Sequence, residues 1–227
     1  KPYSDLEHAW DEGFGYFGAN QSFGLMTPAE IKAEGEQDIN GDDMLDLTSE
    51  VVFGASMNAA KRDLGSISQT AFVADAWDGF REGRALINST AGALNESQLE
   101  ELQSHRDMAI AAWEDAVAAT VIHYINALVS DTNAYETDAY SLGGVAKHWS
   151  EAKGFALWFQ FNPRSPLTSG EFADLHSALG LAPVLPSAGA AAVDAWVIDL
   201  LNARDNLGTA FGFDPQNFGD DDGENGW

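Results

Sequence analysis

The sequence predicts an all-α protein. Apolar residues recur at three- and four-residue steps over long stretches, the mark of helices with one buried face. No run alternates apolar and polar residues as a half-buried strand does. Clusters of proline and glycine at 162–166 and 183–189, and a Gly/Asp-rich stretch from Phe211, fall between the periodic segments and separate them.

The first helix is expected over residues 5–17, rich in aromatics. Thr27-Pro-Ala-Glu30 reads as a capping box opening a short helix. A further helix is placed at 47–60. The next runs over 69–88, with Phe72, Trp77, Phe80, Arg84 and Ile87 in the repeat. The longest covers 95–129, where Leu99, Leu102, Ala109, Trp113, Ala116, Thr120, Tyr124 and Leu128 share the period, and Asn95 with Gln98 forms the capping pair. An aromatic-rich helix follows at 145–161. The last spans 190–207, with Val193, Trp196, Val197, Leu200 and Leu201 on its apolar face.

Two echoes occur in the same order. His8-Ala-Trp10-Asp-Glu12-Gly-Phe14 resembles His148-Trp149-Ser-Glu151-Ala-Lys-Gly154-Phe155, and Ala76-Trp77…Arg84 resembles Ala195-Trp196…Arg204. They suggest an internal duplication: one helical-bundle domain over 1–210, with one half at 1–90 and the other at 140–210. An acidic insert around 32–50 would lengthen the first half. Residues 211–227 read as an acidic, linker-like tail.

Composition narrows the function. The 227 residues include 36 Asp and Glu against 11 Lys and Arg, a net charge of −25. Such a surface repels nucleic-acid phosphate and anionic lipid and attracts divalent cations. Cysteine is absent, so any metal must bind oxygen or imidazole. No apolar run reaches the about 20 residues that span a bilayer, which predicts no transmembrane segment. Lys1 in place of an initiator Met suggests a processed or trimmed chain.

The strongest motif is 38–50. Asp38, Asn40, Asp42 and Asp46 alternate as the oxygen ligands of a tightly turning calcium loop do, with the Met44 carbonyl at the seventh position. Asp43 stands where the turn glycine of an EF-hand belongs, Gly41 lies two positions early, and Glu50 falls one residue beyond the twelfth position, which Ser49 holds. A dockerin-like or otherwise modified calcium loop with a structural role is the expectation.

His8 with Glu12 (i,i+4) and His148 with Glu151 (i,i+3) each share a helix face. Doubled, they would form an N₂O₂ set suited to iron, copper or zinc. Against this, Arg84 and Arg204 could engage Glu12 or Glu151 as buried ion pairs, making those helices structural. His123 reads as a core residue, His105 and His176 as exposed. No Gly-Xaa-Ser-Xaa-Gly, His-Glu-Xaa-Xaa-His or phosphate-cradling loop is present, so no enzyme activity, peptidase included, is expected.

The segments 6–18 and 147–156, with Gln160-Phe-Asn-Pro163 after the second, resemble a bacterial family catalogued as domain of unknown function 4856, many of whose members are predicted lipoproteins or periplasmic proteins. The 38–50 loop and Asn58-Ala-Ala-Lys-Arg-Asp63 also have that family's look. The family is similar to the imelysin-like proteins, helical bundles with a Gly-Xaa-His-Xaa-Xaa-Glu motif implicated in iron or other metal uptake at bacterial surfaces. His148-Trp-Ser-Glu151 matches the His-Xaa-Xaa-Glu part, with Ala146 in place of the glycine and Gly143 and Gly144 just upstream; His8 to Glu12 has one residue too many. The resemblance implies an imelysin-like bundle in the periplasm or at the cell surface, secreted or lipid-anchored as a precursor. It also implies a role as an accessory of metal uptake, with a missing N-terminal portion or other surface and uptake proteins as partners. The competing expectation is a calcium-stabilised structural or interaction module that binds no transition metal.

Overall fold

A computed structural model describes residues 3–34, 38–47 and 49–227; Lys1, Pro2 and, within the acidic insert, residues 35–37 and 48 lie outside them. Eight α-helices are present among the described residues, with no β-strand and one isolated antiparallel bridge, Phe218 to Gly226. The all-α expectation holds. The chain divides into two compact units, one of residues Lys1–Leu64 and Thr70–Ala116, the other of Gly65–Gln69 and Val117–Trp227. The division falls inside the longest helix, rather than at the boundaries the sequence echoes imply.

In the first unit, α1 (Asp5–Phe17) starts at a Ser4/Glu7 capping box and stops at Gly18, whose φ of 91° is left-handed. A Cβ on Gly18 would lie 1.9 Å from the Phe53 carbonyl oxygen, so only glycine fits. α2 (Pro28–Glu34) opens on the expected Thr27/Glu30 box. The helix expected from residue 47 starts later, as α3 (Ala55–Gly65). Phe53 N–H bonds instead to the Gly18 carbonyl, and Gly54 takes a φ of 65°, so helical backbone begins only beyond it.

α4 (Phe72–Ser89) has no capping side chain of its own at Ala71. Asp63 supplies the cap from α3: its carboxylate accepts from Phe72 N–H and Val73 N–H, both at 2.9 Å, and from the Thr70 hydroxyl at 2.7 Å. A charged acceptor at a helix N-terminus also answers the helix dipole. α1 packs on α4 through Trp10, Phe14 and Phe17 against Phe80. Glycines make the approach possible: a Cβ on Gly83 would lie 2.0 Å from the Trp10 ring, and one on Gly79 2.7 Å from the Ala109 backbone nitrogen.

α5 (Glu96–Asn133) carries the expected Asn95/Gln98 box. From Ala116 to Ile122 it is buried on every side, Thr120 included, a helix enclosed by protein rather than amphipathic.

The second unit continues with α6 (Leu142–Ala156), capped by Ser141 and passing into a 3₁₀ turn at Leu157–Gln160. α7 (Ser169–Leu179) has no counterpart among the sequence expectations, although its Thr168/Glu171 capping box is legible. α8 (Ala190–Ala210) buries Val193, Trp196, Val197 and Leu200 as expected. α6 and α8 both pack on α7. Two indoles close the end of α7: Trp149 Nε1 donates to the Leu179 carbonyl at 2.7 Å and Trp196 Nε1 to the Ala178 carbonyl at 3.0 Å. Such terminal carbonyls otherwise lack intrahelical partners.

The C-terminal stretch is not linker-like. Phe218 and Trp227 are buried, and Asn217 binds the 67–68 turn through both ends of its amide. Buried Asn126 donates to the Phe218 and Trp227 carbonyls and accepts from Arg204, whose Nη1 also reaches the Asp220 carbonyl at 2.7 Å. Apolar burial and a satisfied polar clamp thus fold residues 211–227 into the second unit.

Candidate functional site

The 38–50 loop is a chain of side-chain-to-backbone turns. Asp38 Oδ1 accepts from the N–H groups of Gly41 and Asp42, and its Oδ2 from that of Asp43. Asn40 Oδ1 accepts from Asp42 N–H, and Asp42 Oδ1 from Met44 N–H. These backbone donors hold the Asp38 carboxyl below the usual carboxylate range, Asp43 N–H contributing most. Asp43, at the turn-glycine position, adopts a φ of 61°. The left-handed backbone at this position is therefore carried by aspartate, one of the few residues with a side chain that tolerate it.

Glu50, one residue late by the EF-hand count, is 2% exposed. Its Oε1 accepts from Ile39 and Asn40 N–H and its Oε2 from Asp46 N–H at 2.8 Å. It thus spans the loop's first and last turns. The donor set is all oxygen and suits a hard cation, and carboxylates that accept these N–H bonds keep lone pairs to spare. Among the described residues, no three His, Asp or Glu side chains are gathered closely enough to hold a metal ion as they stand.

The histidine pairs differ from one another. In the first unit His8 Nε2 lies 3.5 Å from Glu12 Oε1, with both side chains about half exposed, and Tyr3 stacks on the imidazole. In the second unit His148 Nδ1 meets Asp131 Oδ2 at 2.8 Å. Tyr124 stacks beside His148 at 6.2 Å and on Phe155 at 5.7 Å. Gly144, one turn before His148, makes room for the carboxylate: a Cβ there would sit 2.7 Å from Asp131 Oδ2. An acid on Nδ1 fixes ring and tautomer and leaves Nε2 as the ligating or proton-accepting nitrogen. Glu151 Oε2, three residues along the same face, is buried without a hydrogen-bond partner among the described residues.

The arginines do not engage Glu12 or Glu151. Arg84 Nε bonds Asp11 at 2.7 Å and its Nη1 Glu7 at 3.1 Å, since Glu7 and Asp11, not Glu12, share the α1 face turned to α4. Arg204 is committed to Asn126, Asp205 and the Asp220 carbonyl. His176 is partly buried rather than exposed; burial, with the Lys153 charge second, depresses its basicity. His105 is also partly buried. Asp131 is the site residue that sequence reasoning misses. It lies just past residue 129, where the apolar pattern ends, whereas α5 continues to Asn133.

No protein family, curated protein or solved structure matches this chain. No helix among the described residues is long and apolar enough to cross a membrane.

Proposed function

We propose that this chain is an extracytoplasmic metal-binding protein, allied to the family of domain of unknown function 4856 and to the imelysin-like proteins. In this reading the 38–50 loop takes a structural Ca²⁺ through Asp38, Asn40, Asp42, the Met44 carbonyl, Asp46 and Glu50. What carries it is the left-handed Asp43 at the loop's sixth position, flanked by the Asp38 fan and the buried Glu50. Ca²⁺ binding to the folded state alone stabilises it by mass action. Saturating Ca²⁺ is expected to raise the melting temperature, and Asp38→Ala with Asp42→Ala to abolish that response; an unchanged melting temperature in the parent protein refutes the site.

A second, transition-metal role, as an accessory of iron, copper or zinc uptake, is favoured by one observation: His148 is oriented by Asp131 and followed by the unpartnered Oε2 of Glu151. Imidazole with carboxylate suits these metals. Elemental analysis of protein purified without chelator separates the readings. Calcium with stoichiometric iron, copper or zinc, lost in the His148→Ala, Glu151→Ala double variant, supports uptake. Calcium alone supports a calcium-stabilised structural or interaction module.

A further inference from the structure

The first unit holds a cleft of about 500 Å³ lined by α1, the turn after it and α4, within the size range of small-molecule sites, about 300–1,000 Å³. It shares no residue with the calcium loop or the histidine pairs. Three half-buried aromatics, Trp10, Phe14 and Trp77, line it, with Phe14 and Trp77 6.0 Å apart and inclined at 57°. The Trp10 indole N–H is spent on the Phe80 carbonyl at 2.8 Å. That of Trp77 has no acceptor among the described residues, and the exposed Gln21 amide in the same lining has no partner among them either.

The charged members of the lining are compensated. Arg84 is held by Asp11 and Glu7, and Arg81 by Asp78 and Glu82. No free cation remains in the lining to attract an anion, and the chain's net charge of −25 repels one. What the cleft offers is aromatic surface beside fixed, paired groups that both donate and accept. These are the needs of a neutral polyhydroxylated ring, whose C–H face packs on an electron-rich aromatic face while its hydroxyls bridge planar polar side chains.

We propose that this cleft binds a neutral pyranose sugar, with Trp77 and Phe14 as the aromatic contact and Gln21 and the Asp11–Arg84 pair as hydrogen-bond partners. Gly15 provides a clean block. It lies on the lining, and a Cβ there would meet no atom within 4 Å, so Gly15→Leu adds bulk at the cleft without crowding the core. Indole N–H signals of the ¹⁵N-labelled full chain are followed by NMR during titration, up to tens of millimolar, with glucose, galactose, mannose, N-acetylglucosamine, maltose and cellobiose. At least one sugar is expected to shift the Trp77 signal saturably. Gln21→Ala should weaken that affinity about fivefold, the worth of one hydrogen bond, at the parent's melting temperature, and Gly15→Leu should abolish it at a melting temperature no lower than the parent's. The proposal is overturned if no sugar in the panel moves the Trp77 signal, if Gly15→Leu leaves the shift intact, or if choline, as a test of an aromatic cage for a quaternary ammonium, saturates the site while the sugars do not.

Discussion

Asp115 offers a sharp test of the first unit's electrostatics. Its carboxyl is pushed up to about 7 by burial first, then by the charges of Glu114 and Asp75. Asp75 is itself raised, through burial and the neighbouring Asp63 and Asp78. Asp115 makes no hydrogen bond among the described residues that would favour its charged form. The folded state therefore keeps a proton that the unfolded chain releases near its ordinary value of 3.8. Stability from this group is fully present below that value, falls as pH rises through about 7, and is level above it. At about 1.4 kcal/mol per tenfold change in acidity the full swing is about 4 kcal/mol, an upper figure because the carboxyl is not wholly enclosed. Asp115→Asn removes the charge and nearly keeps the shape. Urea titrations at pH 5 and pH 8 span only the upper two pH units of that swing and should show the parent losing about 2–3 kcal/mol between them. The variant should show a much smaller loss, with what remains set by Asp75 and, with the opposite sign and equally in both proteins, by the depressed His176, and should be the more stable protein at pH 8. A carboxyl titration midpoint near 4 for Asp115, or a pH slope unchanged by the substitution, would refute the reasoning. Lowered carboxyls such as Asp38 and Asp220 lose their contributions only in more acid solution, so the window from pH 5 to 8 is free of them.

Two further outcomes follow from the same contacts. Asp63→Ala strips three hydrogen bonds from the start of α4 and should cost about 1–2 kcal/mol by urea unfolding, with faster hydrogen exchange confined to that helix's first turn; a cost no larger than for an exposed acid would show that α4 needs no cap from α3. Arg204→Met leaves the 2%-exposed Asn126 without its donor and should cost about 3 kcal/mol. It should also increase the solvent exposure of Trp227, read by fluorescence quenching, and a variant whose Trp227 stays protected would mean that apolar burial alone holds the C-terminal stretch.

What is legible in the sequence is what local periodicity and capping dictate. α1 can be placed to the residue because Ser4, Glu7 and Gly18 bracket it chemically. The helix after the 38–50 loop starts later than its pattern suggests because its true start depends on the bond from Phe53 to Gly18, remote in the chain, to which periodicity is blind. Asp63 illustrates the same limit: an acid inside one helix capping the next leaves no local signature. The tail misleads for a different reason. Its composition is that of a solvated linker, yet Asn217, Phe218, Asp220 and Trp227 anchor it against the 67–68 turn, Asn126 and Arg204.

The same contrast bears on where function resides. In both Trp-Xaa-Glu helices the tryptophan is a packing device whose N–H is spent on a carbonyl of a neighbouring helix, Phe80 in one unit and Leu179 in the other. The echo is therefore first of all a structural one. The histidines beside those tryptophans do not follow it: His8 sits half exposed beside Glu12, while His148 is oriented by an acid from α5 with a glycine making room for it. Packing of the tryptophans alone gives no reason for Gly144 to yield space to Asp131. That local investment in one imidazole, absent from the other half, makes His148 rather than His8 the residue on which the transition-metal reading stands or falls.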